Sequence, residues 1–524
     1  MKKKIHPALW ILLIFVAGLI PRLPLLWLPF TNGDECLFAL FIKVWQHGGV
    51  PYADAVESKA LGVYVFYWFA SWISGSFPNV SMLAVHILSI IWTFLTAACV
   101  YKISARLFSQ KTGFVSALLF VIFTTTYFPG YTSANIEVVL LLPLCLAMLF
   151  ILRPPLTLRY RHSFLAGLGI AAAMLCKYQA GILIPVLLLY YGIVLPLTIK
   201  EWRFKKIGLH TLFFFLGGLP LPAWMLFYLY KAGGLKDFIF WNVTGNIHYI
   251  NSGSDMISWK YALLQRILPF LAATGLVWYL TGERLAKSFR ARKEFSRDHL
   301  SQECLLWLWF FLTFIPVSTG KRFFDHYFLL LFPPASVLAG AALSSWSEKK
   351  WHRWRVTVML AILLPFIVFT HIQFHMKRFY TATGNKKDYT LFKPYADFLR
   401  EHTNPDDRIF VWGGASFIYW FSDRFPATRF FNSQQLSGRG LGLPRSQLVH
   451  LKNHEQLVVP EAWPMLMEDF NKHPPAYIMD IAPTGLDSYK SFEMANYPLL
   501  MDFVRAHYVQ EDSFKGALVF RRIS

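Results

Sequence analysis

The sequence has few charged residues and few cysteines for its length. Only 15% of its 524 residues are charged and 55% are hydrophobic, whereas soluble proteins carry about 25% charged residues. This composition excludes a soluble globular protein. The five cysteines form no spaced motif, so the sequence does not indicate a disulfide framework or a cysteine-based zinc site. Glycine-rich nucleotide loops and the G-x-S-x-G elbow are also missing, so ATP-driven transport and serine hydrolysis have no sequence support.

Long apolar runs recur from Pro7 to Phe374 and have the length of membrane-spanning helices. Twelve runs can be counted, but twelve spans would place the basic loop 102–111 outside the cell. The run Leu61–Phe77 is rich in aromatic residues, which favour the headgroup level, and we interpret it as an interfacial or re-entrant helix. About eleven spans remain, at residues 8–28, 81–101, 112–128, 136–152, 163–176, 178–198, 208–230, 259–280, 304–319, 326–346 and 356–374.

The distribution of lysine and arginine predicts the orientation of the chain. With eleven spans, 23 of these residues fall in loops on one side and about eight on the other before residue 375. Basic loops face the cytoplasm, which predicts a multi-pass protein of the inner membrane with a cytoplasmic N-terminus. The first outer loop, residues 29–80, would carry interfacial helices. The same rule accounts for the net charge of +21 without a nucleic-acid partner.

After Phe374 the composition changes, because charged residues become frequent and long apolar runs end. Residues 1–374 are therefore predicted to form an all-α membrane domain, and residues 375–524 an extracytoplasmic domain. Apolar runs beginning at Arg408, Pro475 and Ala517 predict buried strands. Helical patterns at residues 391–402 and 460–472 lie between them, which predicts a small α/β domain.

Charged residues gather at the predicted outer face, where carboxylates and ammonium groups are costly beside lipid and indicate function. They come from five loops and comprise Asp34, Glu35, Asp54, Glu57, Lys59, Glu137, Lys177, His248, Lys321, Arg322, Asp325 and His326. A further cation, Arg266, lies about two turns into a span. A helical bundle could bring these groups around one cavity.

Each acidic candidate has a structural alternative. Asp34 is a general base at the membrane surface or the N-cap of an amphipathic helix over residues 36–47. Glu137 is an active-site carboxylate or a first-turn residue that stabilises the helix dipole. His248 is a metal ligand together with Glu57 or Glu35, or it is an ordinary loop residue.

The basic candidates have alternatives as well. Lys177 binds phosphate, or it snorkels from an apolar hairpin to the membrane surface. Lys321 and Arg322 form an anion site at the start of a helix, or they anchor the helix at the interface. Lys59 is a cation for a lipid phosphate or part of a solvated loop.

The first outer loop contains two motifs of a known family of membrane enzymes. Asp34 and Glu35 resemble the acidic motif of that family's first loop. Pro51–Gly62 resembles the segment that follows it, G-x-x-x-Y-x-D…K-P-P, with Ala60 and Leu61 in place of the usual prolines.

Three further motifs follow in the family's order. Ser133–Glu137 resembles its second acidic motif, Lys177 with the next two residues resembles its lysine hairpin, and Arg322–Pro334 resembles its R-x-x-x-H-Y-x-x-x-x-x-P-P segment. Over much of residues 1–374 the chain thus resembles the GT-C type membrane glycosyltransferases. The most similar group is the dolichyl-phosphate-mannose mannosyltransferase-like bacterial enzymes, including the lipid A aminoarabinose transferase and the Rgt-type transferases of lipopolysaccharide cores.

The resemblance implies transfer of a sugar from a polyprenyl-phosphate donor to a lipid, glycan or protein acceptor in one inverting step. Asp34 is then the expected base, with Glu35 in support and Glu137 or Glu57 orienting the acceptor. The expected phosphate-binding residues are Lys59, Lys177, Arg266, Lys321, Arg322, His326 and Tyr327. No cofactor is certain, and a divalent metal ion stays open. The alternative functions are a non-catalytic transporter or flippase of lipid-linked saccharides and a structural membrane protein.

Overall fold

The computed structural model describes residues 6–127, 132–378, 388–439 and 457–523, without the side chains of residues 248, 249 and 252–255. Eight described segments are helical, long and apolar enough to cross a membrane. They are Pro7–Leu26, Met82–Leu107, Tyr178–Thr198, Phe204–Ala232, Trp259–Ala291, Arg297–Lys321, Asp325–Ser344 and Glu348–Phe374. Each corresponds to one of the eleven predicted spans.

The other three predicted spans coincide with shorter helices, Gln110–Phe123, Ile136–Ile151 and Tyr160–Cys176. At about 1.5 Å per residue these helices are shorter than the roughly 30 Å of a hydrocarbon core. The total of eleven spans therefore stays a prediction. Asp325–Ser344 is the most completely buried of the eight long segments and lies inside the bundle, whereas Glu348–Phe374 lies at its surface.

Two short helices follow the first long segment, Gly33–Gln46 and Gly62–Ile73. The second has 12 residues, about 18 Å, which is too short to cross a bilayer. Both helices occur within the predicted first outer loop. Further along, a π-helical segment at Ile239–Thr244 leads into the helix Gly245–Met256.

The C-terminal part contains a five-stranded mixed sheet. Its strands are β1 (Arg408–Trp412), β2 (Phe425–Pro426), β3 (Tyr477–Asp480), β4 (Tyr508–Gln510) and β5 (Leu518–Arg522). Their spatial order is β2-β1-β3-β5-β4. Strand β1 runs parallel to β2 and β3, and β5 runs antiparallel to β3 and β4. The three predicted strands correspond to β1, β3 and β5.

Side chains of β1 alternate between two apolar cores, as expected for a strand covered on both faces. Ile409 and Val411 pack on the side of the helices Lys393–Glu401 and Ser416–Ser422, in the core that continues into the membrane domain. Phe410 and Trp412 belong to a second core with the helices Ala462–Lys472 and Pro498–His507. The two predicted helices of this domain are therefore present, as Lys393–Glu401 and Ala462–Lys472.

The C-terminal part packs directly on residues 29–80, the predicted first outer loop. Phe30 contacts a cluster of aromatic rings, with centroid distances of 5.5 Å to Phe417 and 5.3 Å to Trp420. Lys43 forms an ion pair with Asp423 at the end of the helix Ser416–Ser422. These contacts cover the helix Gly33–Gln46 with the C-terminal domain.

Candidate active site

The helix Gly33–Gln46 begins at a cap provided by Asn32. The Asn32 side chain accepts a hydrogen bond from the backbone N–H of Glu35 at 3.0 Å, which satisfies one donor of the first turn. Asp34 lies inside that turn rather than at its cap, so the capping alternative for Asp34 is wrong. The side chain of Asp34 is consequently left available for another role.

Glu35 is completely buried and its carboxylate accepts four hydrogen bonds. The donors are the backbone N–H of Thr31 at 2.6 Å, the Thr31 hydroxyl at 3.1 Å and the backbone N–H of Ala134 at 2.7 Å. His86 Nε2 lies 3.1 Å from Oε1, the oxygen that also accepts from Ala134, whereas both Thr31 donors bond to Oε2. Burial alone would raise the pKa of Glu35, but His86 and these donors lower it below its ordinary value. Glu35 therefore joins the first loop to residue 134 and the second span.

Asp34 differs from its neighbour because its carboxylate makes no hydrogen bond or ion pair with the residues that the structure describes. It is half-buried and lies close enough to Glu57 and His326 to interact with both electrostatically. Partial burial raises the pKa of Glu57, and Asp34 adds to that rise, whereas Lys59 and the Ser58 N–H oppose it. Two carboxylates and a lysine of the first loop therefore share one region.

A second group of predicted residues surrounds Glu137 on the helix Ile136–Ile151. Lys177 Nζ forms an ion pair with Glu137 Oε1 and lies 3.7 Å from the centroid of the Tyr327 ring. His326 Nε2 lies 3.8 Å from the same carboxylate oxygen. The helix cap here is Asn135, whose side chain accepts from the N–H of Ile136. Glu137 is 1% exposed, so it holds Lys177 in place between the helix and the ring.

The first loop approaches the lysine hairpin closely at Gly62. A Cβ atom at Gly62 would lie 2.6 Å from the carbonyl carbon of Leu175, closer than real Cβ contacts. Only glycine permits this approach. It brings the segment with Lys59 next to the segment with Lys177.

Asn242 connects these two segments from the π-helical turn. It is fully buried, and its Nδ2 donates to the backbone carbonyl of Glu57 at 3.1 Å. Its Oδ1 accepts a hydrogen bond from the hydroxyl of Tyr178 at 3.4 Å. One turn later, Asn246 donates to the carbonyl of Ser58 at 2.9 Å. Single-turn π-helices occur frequently at functional sites, and this one fixes the loop that presents Lys59.

The remaining basic candidates lie around the start of the Asp325–Ser344 segment. Arg266 Nη1 is 3.8 Å from Asp325 Oδ2. Lys321 Nζ lies 5.9 Å from the centroid of the Trp259 ring, and Arg322 is 3% exposed. Lys321 and Arg322 precede a 3-10 turn, and the α-helix begins only at Phe332. The helix that follows these two cations thus starts as a 3-10 turn, and the anion site at its N-terminus stays a prediction.

Of the two predicted metal ligands, Glu57 and His248, the structure describes the side chain of only Glu57. Glu57 lies beside Asp34, while the side chain of His248 lies outside the described residues. Among the described side chains, no three His, Cys, Asp or Glu residues converge as a metal site. Asp34 and Glu57 alone are fewer than the three or four protein ligands of a zinc site. Metal binding here therefore stays a prediction.

Two residues of this region were missed in the sequence, although one carried a signal. His86 is an ionisable residue within a predicted span, and such residues are functional candidates by default. Its Nδ1 lies 2.8 Å from the carbonyl oxygen of Leu25, and its Nε2 is the one that reaches Glu35. Asn242 carried no signal, since a neutral amide after an apolar helix is typical of many loops.

Comparison with known proteins identifies the architecture. The sequence model of the family described as dolichyl-phosphate-mannose-protein mannosyltransferase matches residues 62–224. No curated protein sequence matches the chain. The solved structure of ArnT from Cupriavidus metallidurans bound to undecaprenyl phosphate is similar, with a TM-score of 0.63 and 12% identity over 99% of both chains.

Archaeal structures show the same likeness. The oligosaccharyltransferase AglB from Archaeoglobus fulgidus, in complex with an inhibitory peptide and a dolichol-phosphate, has a TM-score of 0.53 and 12% identity over 98% of this chain and 74% of that one. The Archaeoglobus fulgidus oligosaccharyltransferase complex with Zn and sulfate has a TM-score of 0.56 and 15% identity over 97% and 73%. The resemblance to the GT-C type membrane glycosyltransferases is therefore confirmed, by the family match over residues 62–224 and by the fold over nearly the whole chain.

Proposed function

We propose that this protein transfers a sugar from a polyprenyl-phosphate-linked donor to an envelope lipid, glycan or protein at the outer face of the membrane. The observation that carries the proposal is the Asp34 carboxylate, half-buried and without a hydrogen bond or ion pair to the described residues. Asp34 interacts electrostatically with Glu57, which also interacts with Lys59, and with His326, which lies near Glu137 and Lys177. A base next to cations is what glycosyl transfer from a lipid phosphate requires.

The proposed reaction is a single displacement that inverts the anomeric carbon. The acceptor oxygen forms a bond to that carbon while its proton moves to the carboxylate of Asp34. The bond between the same carbon and the phosphate oxygen breaks, and its electron pair leaves with the polyprenyl phosphate. Lys59 and Lys177 stabilise the negative charge on this leaving group, since fixed cations act most strongly where water is excluded.

The other site residues have supporting roles in this proposal. Glu137 positions Lys177 through their ion pair, and Glu35 positions the helix that carries Asp34. Arg266, Lys321 and Arg322 are further candidates for the donor's phosphate or lipid. A divalent metal ion near Glu57 stays a prediction.

The choice of a polyprenyl-phosphate donor draws on two neighbours of known structure. ArnT is bound to undecaprenyl phosphate and AglB to a dolichol-phosphate. Both ligands are polyprenyl phosphates, which is the group that departs in the reaction proposed here. The sugar and the acceptor are not specified by these neighbours.

Donor specificity tests the proposal directly. Membranes containing the full-length protein are given labelled polyprenyl-phosphate sugars or labelled nucleotide sugars, together with total envelope lipid and glycan. We expect the label to reach an acceptor from the polyprenyl-phosphate donor only, and membranes without the protein provide the control. Transfer from a nucleotide sugar would overturn the donor assignment, and movement of intact donor across the membrane without transfer would indicate a transporter.

Asn242 supplies a test of how the site is held together. Asn242→Leu retains the side-chain size but leaves the buried carbonyl of Glu57 without its donor. Because small displacements of catalytic groups are costly, we expect transfer to slow by about tenfold or more. Steady-state kinetics with varied donor concentration measure this effect. Tyr178→Phe is the milder comparison, because it removes only the 3.4 Å hydrogen bond from the Tyr178 hydroxyl to Asn242. Equal rates in wild type and Asn242→Leu would contradict the role of Asn242 in holding the loop of Lys59.

A further inference from the structure

A cavity lies between the first outer loop and the C-terminal domain, beyond the end of the helix Gly33–Gln46. Its volume is about 340 Å³, within the range of small-molecule sites. One wall comes from the first loop and the other from strands β1 and β2 and the end of the helix Ala462–Lys472. The lining residues used below are His47, Asp54, Arg408, Phe425, Asp469 and Lys472.

This cavity is separate from the region of Asp34. Asp34 lies in the first turn of the helix Gly33–Gln46, whereas His47 caps its other end. A 14-residue helix is about 21 Å long. The cavity is therefore roughly that far from the proposed base, along a helix covered by the C-terminal domain.

The carboxylates of the cavity are already engaged. Asp469 accepts hydrogen bonds from the Arg429 guanidinium at 2.7 Å and 3.0 Å and from the Arg429 backbone N–H at 2.9 Å. Asp54 Oδ2 accepts from the backbone N–H of Val50 at 2.7 Å. These acids are thus held in fixed positions and have lone pairs left to accept further hydrogen bonds.

The cationic side chains of the cavity, in contrast, form few hydrogen bonds with the described residues. Arg408 and Lys472 form no ion pair with the part of the chain that the structure describes, and Arg408 uses only one of its nitrogens, for the carbonyl of Pro426 at 3.2 Å. Burial, together with Arg408 and Lys472, lowers the pKa of His473, so both cations lie close to that ring. Burial lowers the pKa of Arg408, and Asp54 and Asp469, which lie near its guanidinium, oppose this. Because Arg408 and Lys472 form no direct ion pair with the described residues, their donors are left for an anion, and phosphate matches the planar fork of arginine.

An aromatic wall completes the cavity. The Phe425 ring lies 5.2 Å from the His47 ring and 6.0 Å from the Arg408 guanidinium. Phe425 adds an apolar side chain to the lining, beside the two cations and the two engaged carboxylates. Such a combination suits a ligand that has an anionic group, several hydroxyl groups and an apolar ring face, which describes a phosphorylated sugar.

We propose that the cavity bounded by Arg408, Lys472 and Phe425 binds the phosphate-bearing saccharide portion of a glycan or glycolipid. Arg408 and Lys472 hold the phosphate, and Asp54 and Asp469 accept hydrogen bonds from sugar hydroxyls. That this saccharide belongs to the acceptor of the transfer rests on the proposed function, whereas the binding itself does not.

Calorimetric titration of the full-length protein in detergent tests the binding without any transfer step. The probes are a hexose 6-phosphate, the unphosphorylated hexose and inorganic phosphate. We expect the hexose phosphate to bind at least tenfold more tightly than either other probe, because only it engages both the cations and the hydroxyl acceptors. Tighter or equal binding of inorganic phosphate would overturn the saccharide assignment.

Substitutions locate the binding. Arg408→Gln and Lys472→Gln should each weaken hexose phosphate binding about tenfold or more, as expected for loss of a charged hydrogen bond. Arg400 and Lys490 lie outside the cavity, so Arg400→Gln and Lys490→Gln should leave the affinity for hexose phosphate unchanged. Lys472 is exposed, so Lys472→Gln is expected to fold even if Arg408→Gln does not. Unchanged affinity for hexose phosphate in Lys472→Gln would overturn the proposal.

Transfer kinetics address the acceptor role separately. If the bound saccharide is part of the acceptor, Lys472→Gln raises the KM for the acceptor and leaves kcat and the KM for the donor unchanged. An unchanged acceptor KM alongside weakened hexose phosphate binding would overturn the acceptor role alone. Failure of the proposed function is seen instead as no transfer by the wild type, which the calorimetric result does not depend on.

Discussion

Replacing Asp34 with asparagine is expected to slow sugar transfer by a factor of about 100 to 10,000, the range that general base catalysis supplies. Asparagine has the same shape but cannot take the proton of the acceptor hydroxyl. Because the Asp34 carboxylate makes no hydrogen bond or ion pair to the described residues, the variant should fold normally. Transfer rates at saturating donor, together with the thermal unfolding midpoint in detergent, measure both parts of the expectation.

A matched control for this variant is Asp423→Asn. Asp423 is paired with Lys43 on the same helix as Asp34, but its side chain is 78% exposed and belongs to the C-terminal domain. We expect its replacement to change transfer less than twofold, since exposed ion pairs contribute little. Transfer by Asp34→Asn at the wild-type rate would contradict the role of Asp34 as the base.

Replacing Glu35 with alanine is expected to reduce the stability of the protein, whereas Asp34→Asn reduces its activity. The expected loss is about 3–5 kcal/mol, the usual effect of breaking a buried charged network. The variant leaves two buried backbone N–H groups, a hydroxyl and His86 without their acceptor. Urea or thermal unfolding of the detergent-solubilised protein measures the change. Asp34→Ala, one residue away in the same turn, should cost less than about 1 kcal/mol, the range of ordinary surface positions. Equal losses in the two variants would contradict the division of roles between the two acids.

The pH dependence of stability gives a second view of Glu35. Its pKa in the folded protein lies below the ordinary value of 4.5, so its stabilising contribution is fully present above about pH 4.5. That contribution is lost as the pH falls through the lowered pKa and the carboxylate is protonated. Wild-type protein should therefore lose stability in this acidic range more steeply than Glu35→Gln, which cannot titrate. Parallel stability–pH curves for wild type and Glu35→Gln would contradict a lowered pKa of Glu35.

Much of the fold could be predicted because it follows from local apolar patterns. The runs at Arg408, Pro475 and Ala517 predicted three strands, and these are β1, β3 and β5. The segment 304–319 looked short for a span, but the helical segment continues from Arg297 to Lys321. Charged residues at its start hid the helix from a search for apolar runs.

The candidate site was predictable in its residues but not in their roles. Asp34 and Glu35 are adjacent and chemically similar, yet one is engaged by four donors and the other by none among the described residues. The pattern Asn32-x-x-Glu35 resembles a capping motif and could have shown that Asp34 does not cap the helix. The partners of Glu35 come from residues 86 and 134, however, and such distant contacts depend on the packing of helices and leave no local pattern.

The packing of the C-terminal domain on the helix of Asp34 has a consequence for synthesis of the protein. Lys43 and Asp423, which join the two, are separated by 380 residues. At about 5–20 residues per second, a ribosome needs roughly 20–80 seconds to travel that distance. During this interval Phe30 and its neighbours have left the ribosome but lack their aromatic partners. The half of the protein that carries Asp34 is therefore made first and completed last, so a nascent chain interrupted before residue 417 would leave this surface open to chaperones and proteases.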